Sequence, residues 1–202
     1  MKSNEVSLVN IVYQYGSGGQ FLSYLISINS ISCMDKTKLK PAVTTKDNEY
    51  LYTTYHPFLS RTHPHNIEDY EKLTQNKIIV ITCDDNVSKY CSDLGFLKHD
   101  KTVMSVRKQK QNLAFSTEQK QDVDDFLKTL HSNHKYITVS YDDLFLKQDK
   151  AIIKKMFSFC CMEITEEILN KVAENIRVYT ETNKRKLVEF GINLSKYNIR
   201  SL

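Results

Sequence analysis

Glycine is rare in this chain and concentrated at one place, which constrains the fold more than any other feature. The 202 residues contain five glycines, and three of them stand within Gly16–Gly19. The β-branched and apolar segment 6–15 predicts a buried strand before this cluster, and residues 20–29 carry apolar side chains at helical spacing. A strand, a glycine turn and a helix in this order open a βαβ unit. We therefore expect a turn that needs backbone without Cβ directly after the first strand.

Strands and helices alternate along the rest of the chain. The apolar run Lys77–Thr82 predicts a central strand, and residues 136–140 predict another. Asn66 should cap a helix over 67–75, and Asp84, Asp85 or Asn86 should cap a helix that ends at Gly95. A capping box of Ser116 and Gln119 should open the next helix. Three further helices are expected over 148–160, over 166–178 with Thr165 as its cap, and over 181–190 with its end at Gly191. This alternation predicts a single three-layer α/β/α domain over residues 1–202 with a mainly parallel sheet.

Composition restricts the compartment and the partners. No apolar run is long enough to span a bilayer, and the N-terminal residues lack a signal-peptide pattern. Five cysteines without framework spacing predict reduced thiols, with Cys160 and Cys161 in the core on an apolar helix face rather than redox-active. The net charge of +4 is too small to indicate nucleic-acid binding. We expect a cytoplasmic protein without membrane or nucleic-acid partners, and a homodimer is compatible with this expectation.

The turn Gly16–Gly19 is a candidate anion site. Backbone N–H groups at the positive end of a helix bind phosphate or sulfate, and Ser17 and Gln20 add side-chain donors. The alternative is a tight turn without a ligand. A nucleoside-triphosphate loop and a dinucleotide loop both require glycine where Phe21 stands, and the first lysine after the turn is Lys36. The turn therefore fits neither of these two phosphate-binding patterns.

Four segments, in their order along the chain, resemble the sulfotransferase family. Residues 15–22 (Tyr-Gly-Ser-Gly-Gly-Gln-Phe-Leu) resemble the family's 5′-phosphosulfate loop, and residues 61–64 (Arg-Thr-His-Pro) resemble its Lys-Thr-His-Leu-Pro stretch. Residues 77–82 resemble the strand before its 3′-phosphate site. Residues 139–144 (Val-Ser-Tyr-Asp-Asp-Leu) resemble its Tyr-Glu-Asp-Leu segment. The similarity spans roughly residues 8 to 160. It implies a fold like that of the P-loop NTPases and 3′-phosphoadenosine 5′-phosphosulfate (PAPS) as co-substrate, with a small molecule or a glycan as acceptor.

The resemblance also implies roles for individual residues. His63 would take the proton of a hydroxyl or amine acceptor, with His65 as its local rival. The implied PAPS-binding residues are Gly16, Ser17, Gly18, Gly19, Gln20 and Phe21, with Ser88 as a further donor and Arg107, Lys184 and Arg185 as cations. This scheme requires no metal, and a zinc site built from His56, His63 and His65 with a cysteine has no supporting spacing.

The segment after residue 82 departs from the family's pattern. Cys83 and Cys91 stand where the family places the arginine and serine of the 3′-phosphate site, and Asp84 and Asp85 would repel a phosphate. The basic groups 107–108 or 184–186 would then have to supply the missing charge. Two other interpretations stay open: a kinase-like transferase of nucleotides or phosphorylated metabolites on a P-loop fold, and a non-enzymatic P-loop binding module.

Overall fold

Four parallel strands form the main sheet in a computed structural model of the chain, which describes residues 9–29, 41–44, 50–52, 59–62, 76–99 and 106–199. The strands are β1 (Val9–Tyr13), β4 (Leu59–Thr62), β5 (Lys77–Thr82) and β6 (Tyr136–Ser140), in the spatial order β4-β1-β5-β6. Two short strands, β2 (Pro41–Thr44) and β3 (Tyr50–Tyr52), pair antiparallel in a separate sheet. The prediction of a mixed α/β fold with a parallel sheet is confirmed.

The helices of the described residues follow the strands. They are α1 (Gly19–Asn29), α2 (Asp85–His99), α3 (Val106–Thr129), α4 (Lys150–Phe159) and α5 (Glu166–Glu189), with a π-helical turn at Asp142–Leu146 and a 3₁₀ turn at Leu194–Tyr197. None of these described helices has the length and apolar character that a bilayer crossing requires. The predicted helix 67–75 and its cap Asn66 lie outside the described residues.

Side chains alternate along β1 and β5 between two apolar clusters. Val12, Ile78 and Val80 pack with residues of α3 in one cluster. Ile11 and Ile79 belong to a larger cluster that includes residues of α1, α2, α4 and α5. Because successive residues of a strand point to opposite faces, both faces of β1 and β5 are buried. This burial explains the apolar run Ile78–Ile81 within β5 and the mainly apolar sequence of β1, in which Asn10 is the one polar residue.

Local signals at strand and helix ends are confirmed in several places. The strands Lys77–Thr82 and Tyr136–Ser140 have the predicted bounds. Asp84 Oδ1 accepts the backbone N–H of Val87 at 2.8 Å and so caps α2. Thr165 caps α5 through a hydrogen bond from the N–H of Ile168, and Gly191 follows the end of that helix with φ of +76°.

Three predicted helix boundaries are wrong. The helix α2 continues through Gly95 to His99, because Gly95 leaves space for the ring of Tyr15 instead of ending the helix. The helix α3 begins ten residues before Ser116, since residues 106–115 contain neither glycine nor proline and consist mainly of strong helix formers. The expected helices 166–178 and 181–190 are one helix, and Thr180 within it donates its hydroxyl to the Phe145 carbonyl at 2.9 Å.

The prediction for the two adjacent cysteines is wrong for Cys161. Cys160 is partly buried at the end of α4, but Cys161 is exposed and follows the helix. Its φ of +59° turns it away from the helical path, so it lies on no helix face. Among the described cysteines, all four are free thiols.

Candidate functional site

The order of the strands places a topological switch point between the carboxyl ends of β1 and β5, which is called the crevice below. The chain that leaves β1 returns to the sheet in β4 on one side, whereas the chain that leaves β5 returns in β6 on the other side. In open α/β sheets, ligands bind where neighbouring connections diverge in this way. The glycine turn after β1 and the acidic segment after β5 flank this position.

Gln14 holds the glycine turn against the first turn of α2. Its side-chain Nε2 donates to the Ser88 carbonyl at 2.9 Å, and its own carbonyl accepts the Ser17 hydroxyl at 2.6 Å and the Ser17 N–H at 3.1 Å. Gln14, Ser17 and Ser88 are all buried. The Ser17 hydroxyl, predicted to contact an anion, therefore closes its own turn here. Sequence reasoning missed Gln14, although a polar residue that directly follows an apolar strand is a recognisable signal.

Gln119 of α3 fixes the backbone at the start of the same turn. Its Oε1 accepts the Tyr15 N–H at 2.8 Å, and the residue is 4% exposed. This N–H therefore points toward α3 rather than toward a ligand. Gln119 was expected in a capping box with Ser116, and its contact with Tyr15 was not predicted. The available signal was its position in one helical stripe with the buried Val123 and Phe126.

Close packing accounts for the two glycines of the turn that have positive φ. Gly16 has φ of +80°, and a Cβ at this position would overlap the Cys91 carbonyl of α2. Gly18 has φ of +78°, and a Cβ there would lie 2.7 Å from the Phe145 ring. An L side chain is disfavoured at both positions by conformation and by space. These glycines are thus required by the protein's own contacts, with or without a ligand.

The first turn of α1 contains the remaining predicted loop residues. A Cβ at Gly19 would overlap the Tyr13 ring. Phe21 is 3% exposed and stacks on Tyr179 of α5, with ring centroids 4.1 Å apart and planes at 8°. The Phe21 side chain is part of the core and leaves no ring surface exposed to a ligand. The structure therefore does not support the prediction that Phe21 binds PAPS. Gln20 is the exposed residue of positions 16–21, so its amide is accessible at the positive end of α1.

The segment after β6 lies beneath the glycine turn. Phe145 of the π-helical turn faces Gly18, and the ring of Tyr141 lies 4.7 Å from that of Phe145. Tyr141 and its neighbour Tyr90 are fully buried, and burial raises the pKa of both phenols. Within the described part of the chain, neither hydroxyl makes a hydrogen bond of normal geometry, although an interaction with Tyr141 lowers the pKa of Tyr90 slightly against the effect of burial. The segment 139–144 is one of the four that resemble the sulfotransferase family. Aromatic packing connects this segment to the glycine turn.

Acidic side chains flank the crevice on the β5 side. The Asp85 side chain is 83% exposed and lies 3.5 Å from the ammonium of Lys120, which also pairs with Asp124 at 2.7 Å. The hydrogen bond to Asp124 raises the pKa of Lys120 most, and Asp85 contributes less. Two carboxylates therefore share this cation. The exposed carboxylates of Asp84 and Asp85 would repel a bare phosphate but suit one that carries a divalent cation.

The other predicted site residues lie on several elements. Lys184 and Arg185 are on α5, where Lys184 pairs with Glu181 at 3.2 Å and Arg185 is exposed. Arg107 is in the first turn of α3, and its side chain lies outside the described residues. His63 and His65 also lie outside them, whereas β4, which ends at Thr62, has its carboxyl end at the same sheet edge as β1. In the described ranges, no three His, Cys, Asp or Glu side chains form a metal-binding group.

Comparison with known proteins gives this chain no family. No protein-family model matches it, and no curated protein matches it in sequence. The chemistry of the crevice is therefore the ground on which a function can be assigned. It combines the N-terminus of α1, the accessible amide of Gln20 and the acidic residues after β5.

Proposed function

We propose that this protein is a sulfotransferase-like enzyme with a three-layer, P-loop-type fold that binds PAPS in the crevice between β1 and β5. The observation that carries the proposal is the position of the α1 N-terminus directly after a glycine turn at this crevice. Free N–H groups and the helix dipole at such an end attract the oxygens of a phosphate or a sulfonate. The exposed amide of Gln20 adds a neutral donor at the same place.

The reaction requires alignment and charge stabilisation. The sulfuryl group moves from the phosphate oxygen of PAPS to a hydroxyl or amine of a small-molecule or glycan acceptor, so one S–O bond breaks as the new bond to the acceptor forms. The α1 N-terminus stabilises the negative charge on the leaving phosphate. His63 accepts the acceptor's proton, since an imidazole titrates close to neutral pH. Arg107 or the pair Lys184 and Arg185 holds the 3′-phosphate.

The acidic residues after β5 favour a second candidate, a transferase of phosphoryl groups that uses a magnesium nucleotide. Asp84 and Asp85 follow the strand that pairs directly with β1, and both are exposed. Carboxylates at such a position bind Mg²⁺, which neutralises the phosphates of a nucleoside triphosphate. This candidate explains why acidic residues stand where a metal-free donor site would need an arginine.

Thermal unfolding with added nucleotide tests the proposal and separates the two candidates. The ligands are 3′-phosphoadenosine 5′-phosphate without metal and ATP with Mg²⁺. A ligand at 100 times its dissociation constant adds about 2.7 kcal/mol to the free energy of unfolding, which raises the Tm measurably. A rise with the bisphosphate supports PAPS binding, and a rise with magnesium ATP alone supports the second candidate. No rise with either ligand would contradict both and favour a non-enzymatic module.

A charge-reversal pair shows whether binding occurs at the crevice. Gln20→Glu places a carboxylate in the first turn of α1, where it suits the helix dipole but repels an anionic ligand. Gln121→Glu adds the same charge on the exposed face of α3. We expect Gln20→Glu to fold and to lose the ligand-induced rise in Tm, and Gln121→Glu to keep it. Equal responses from the two variants would place the ligand elsewhere.

A further inference from the structure

Two nucleophilic side chains meet at the amino end of β5, at the edge of the sheet opposite the crevice. The ammonium of Lys77 lies 2.8 Å from Cys161 Sγ and donates a second hydrogen bond to the Phe159 carbonyl, also at 2.8 Å. It further lies 5.6 Å from the centre of the Phe159 ring. Three contacts thus hold Lys77 against the end of α4. A nitrogen and a sulfur at the separation of an ordinary N–H···O hydrogen bond are close enough to react when either is activated.

The backbone presents Cys161 at this position at an energetic cost. The Cys161 N–H donates to the Ser158 carbonyl, and the Met162 N–H donates to the Phe157 carbonyl. These are the two hydrogen bonds of a Schellman motif, in which Cys161 occupies the position that glycine normally takes. Its φ of +59° lies in the left-handed region, where an L side chain is strained. Strain of this kind often marks a functional position, and here it brings the thiol to Lys77.

The neighbouring cysteine provides an internal contrast. Cys160 is partly buried, and burial raises the pKa of its thiol to about 12, so it remains protonated and unreactive at neutral pH. Cys161 is exposed, so a dissolved oxidant can reach its sulfur. The Lys77 charge also acts on Cys160, where burial outweighs it, so solvent access and the direct contact with Lys77 are what distinguish Cys161.

We propose that Cys161 is an oxidation site at which Lys77 captures the oxidised sulfur in a reversible covalent cross-link. A hydroperoxide oxidises the Cys161 thiolate to a sulfenic acid and is itself reduced to hydroxide or alkoxide. That base removes a proton from the Lys77 ammonium, and the free amine attacks Cys161 Sγ. The S–N bond forms as the S–O bond breaks, and the departing hydroxide takes the second nitrogen proton to become water. With hydrogen peroxide, a thiol, an amine and one peroxide give a sulfenamide and two waters.

The cross-link joins the start of β5 to the end of α4. It closes a covalent loop across the segment from Lys77 to Cys161, which restricts the unfolded chain. A thiol reductant reverses it, since two thiols return the free cysteine and lysine and form a disulfide. Because Lys77 begins β5 and the crevice lies beyond Thr82 at its other end, the oxidised protein keeps the crevice accessible. The proposal is thereby independent of the proposed function.

Mass spectrometry of the oxidised full-length protein tests the proposal. The protein is treated with hydrogen peroxide without a reductant and is digested, and the peptides are compared with and without dithiothreitol. We expect a joined pair of peptides, one with Lys77 and one with Cys161, lighter than their sum by two hydrogen atoms and lost on reduction. Wild-type protein should also gain Tm on oxidation and lose the gain with dithiothreitol.

Three variants make the test specific. Cys161→Ser removes the sulfur and should abolish the joined peptides, whereas Cys160→Ser should retain them. Lys77→Arg keeps a cation at the same place but has no amine that can capture the sulfur, so Cys161 should stop at the sulfenic acid, which dimedone labels. Joined peptides in Cys161→Ser, or a disulfide between Cys160 and Cys161 as the main product, would overturn the proposal. So would a sulfenic acid in the wild-type protein that accumulates without joining Lys77.

Discussion

The Tyr197 hydroxyl donates a hydrogen bond to Asp93 Oδ2 at 2.6 Å and ties the 3₁₀ turn to α2. The ammonium of Lys196 donates to the same oxygen at 2.8 Å. The Tyr197 ring also packs edge-on against Tyr90, with centroids 5.4 Å apart. Because α2 lies against the glycine turn at Gly16, this contact stabilises the helix on which the turn packs.

Removing two buried tyrosine hydroxyls should therefore have different effects on stability. Tyr197→Phe removes a hydrogen bond to a carboxylate and should lower the free energy of unfolding by about 1.5 kcal/mol. Tyr141→Phe removes a buried hydroxyl that has no partner among the described residues, so stability should be unchanged or higher. Urea unfolding followed by circular dichroism measures both. A loss in Tyr141→Phe as large as that in Tyr197→Phe would mean that the Tyr141 hydroxyl is satisfied in the native protein.

Stability should fall in alkaline solution because of the same tyrosines. Burial, followed by the charge of Asp93, raises the pKa of Tyr197, and burial raises those of Tyr90 and Tyr141. A folded-state pKa above the unfolded value means that the folded protein loses the phenol proton only at a higher pH than the unfolded chain does. The stabilisation is complete below the unfolded pKa of about 10 and is lost as the pH rises above it, by about 1.4 kcal/mol per pH unit for each group.

Unfolding free energies at a series of alkaline pH values measure this slope. Tyr197→Phe should make it shallower by the contribution of one group. An unchanged slope in this variant would show that Tyr197 ionises equally in the folded and unfolded states.

Two glycines with similar φ allow conformation and crowding to be separated. Gly191→Ala places a side chain at φ of +76° in open space, so it should cost about 1 kcal/mol of stability. Gly16→Ala meets the Cys91 carbonyl at φ of +80° and should cost at least about 3 kcal/mol. Chemical denaturation measures both changes. Equal losses in the free energy of unfolding would mean that α2 shifts away from the turn at no energetic cost.

The strain at Cys161 predicts a stabilising substitution. Glycine adopts the left-handed conformation without strain, whereas alanine does not. The free energy of unfolding of Cys161→Gly should therefore be about 1 kcal/mol higher than that of Cys161→Ala. Both variants lose the contact with Lys77, so the comparison isolates the backbone term. Urea midpoints under reducing conditions provide the measurement, and a higher midpoint for the alanine variant would contradict the prediction.

The link between Gln119 and the glycine turn can be tested in the same way. Gln119→Met leaves the Tyr15 N–H without its acceptor and should cost about 1–3 kcal/mol. Gln121→Met, on the exposed side of the same helix, is the matched control and should change stability by less than about 0.5 kcal/mol. Equal effects from the two substitutions would show that Tyr15 finds another partner.

Features that depend on neighbouring residues were predictable from the sequence. The bounds of β5 follow from an uninterrupted apolar run, and Thr165 and Gly191 mark the ends of α5 by chemistry that acts within a few residues. Features that depend on distant partners were not. Gly95 resembles a helix terminator, but its role is set by Tyr15, eighty positions earlier in the chain.

The candidate site shows the same division. The sequence located the turn, and the strand order places it at a crevice, but the sequence could not reveal that Ser17 bonds to its own turn or that Phe21 stacks on Tyr179. A hydroxyl and an aromatic ring suit a binding loop and a packed core equally well. Three-dimensional packing decides between these roles, because it determines which groups remain accessible to a ligand.

The hydrogen bond between Gln119 and Tyr15 also has a kinetic consequence. Its two partners are separated by 104 positions, so the backbone of the turn reaches its final form only after α3 has docked on the sheet. Contacts between residues so distant in sequence form late, because closing a long segment of chain costs entropy before the contact is gained. During refolding, β1 and α1 should therefore acquire secondary structure before the crevice acquires its shape.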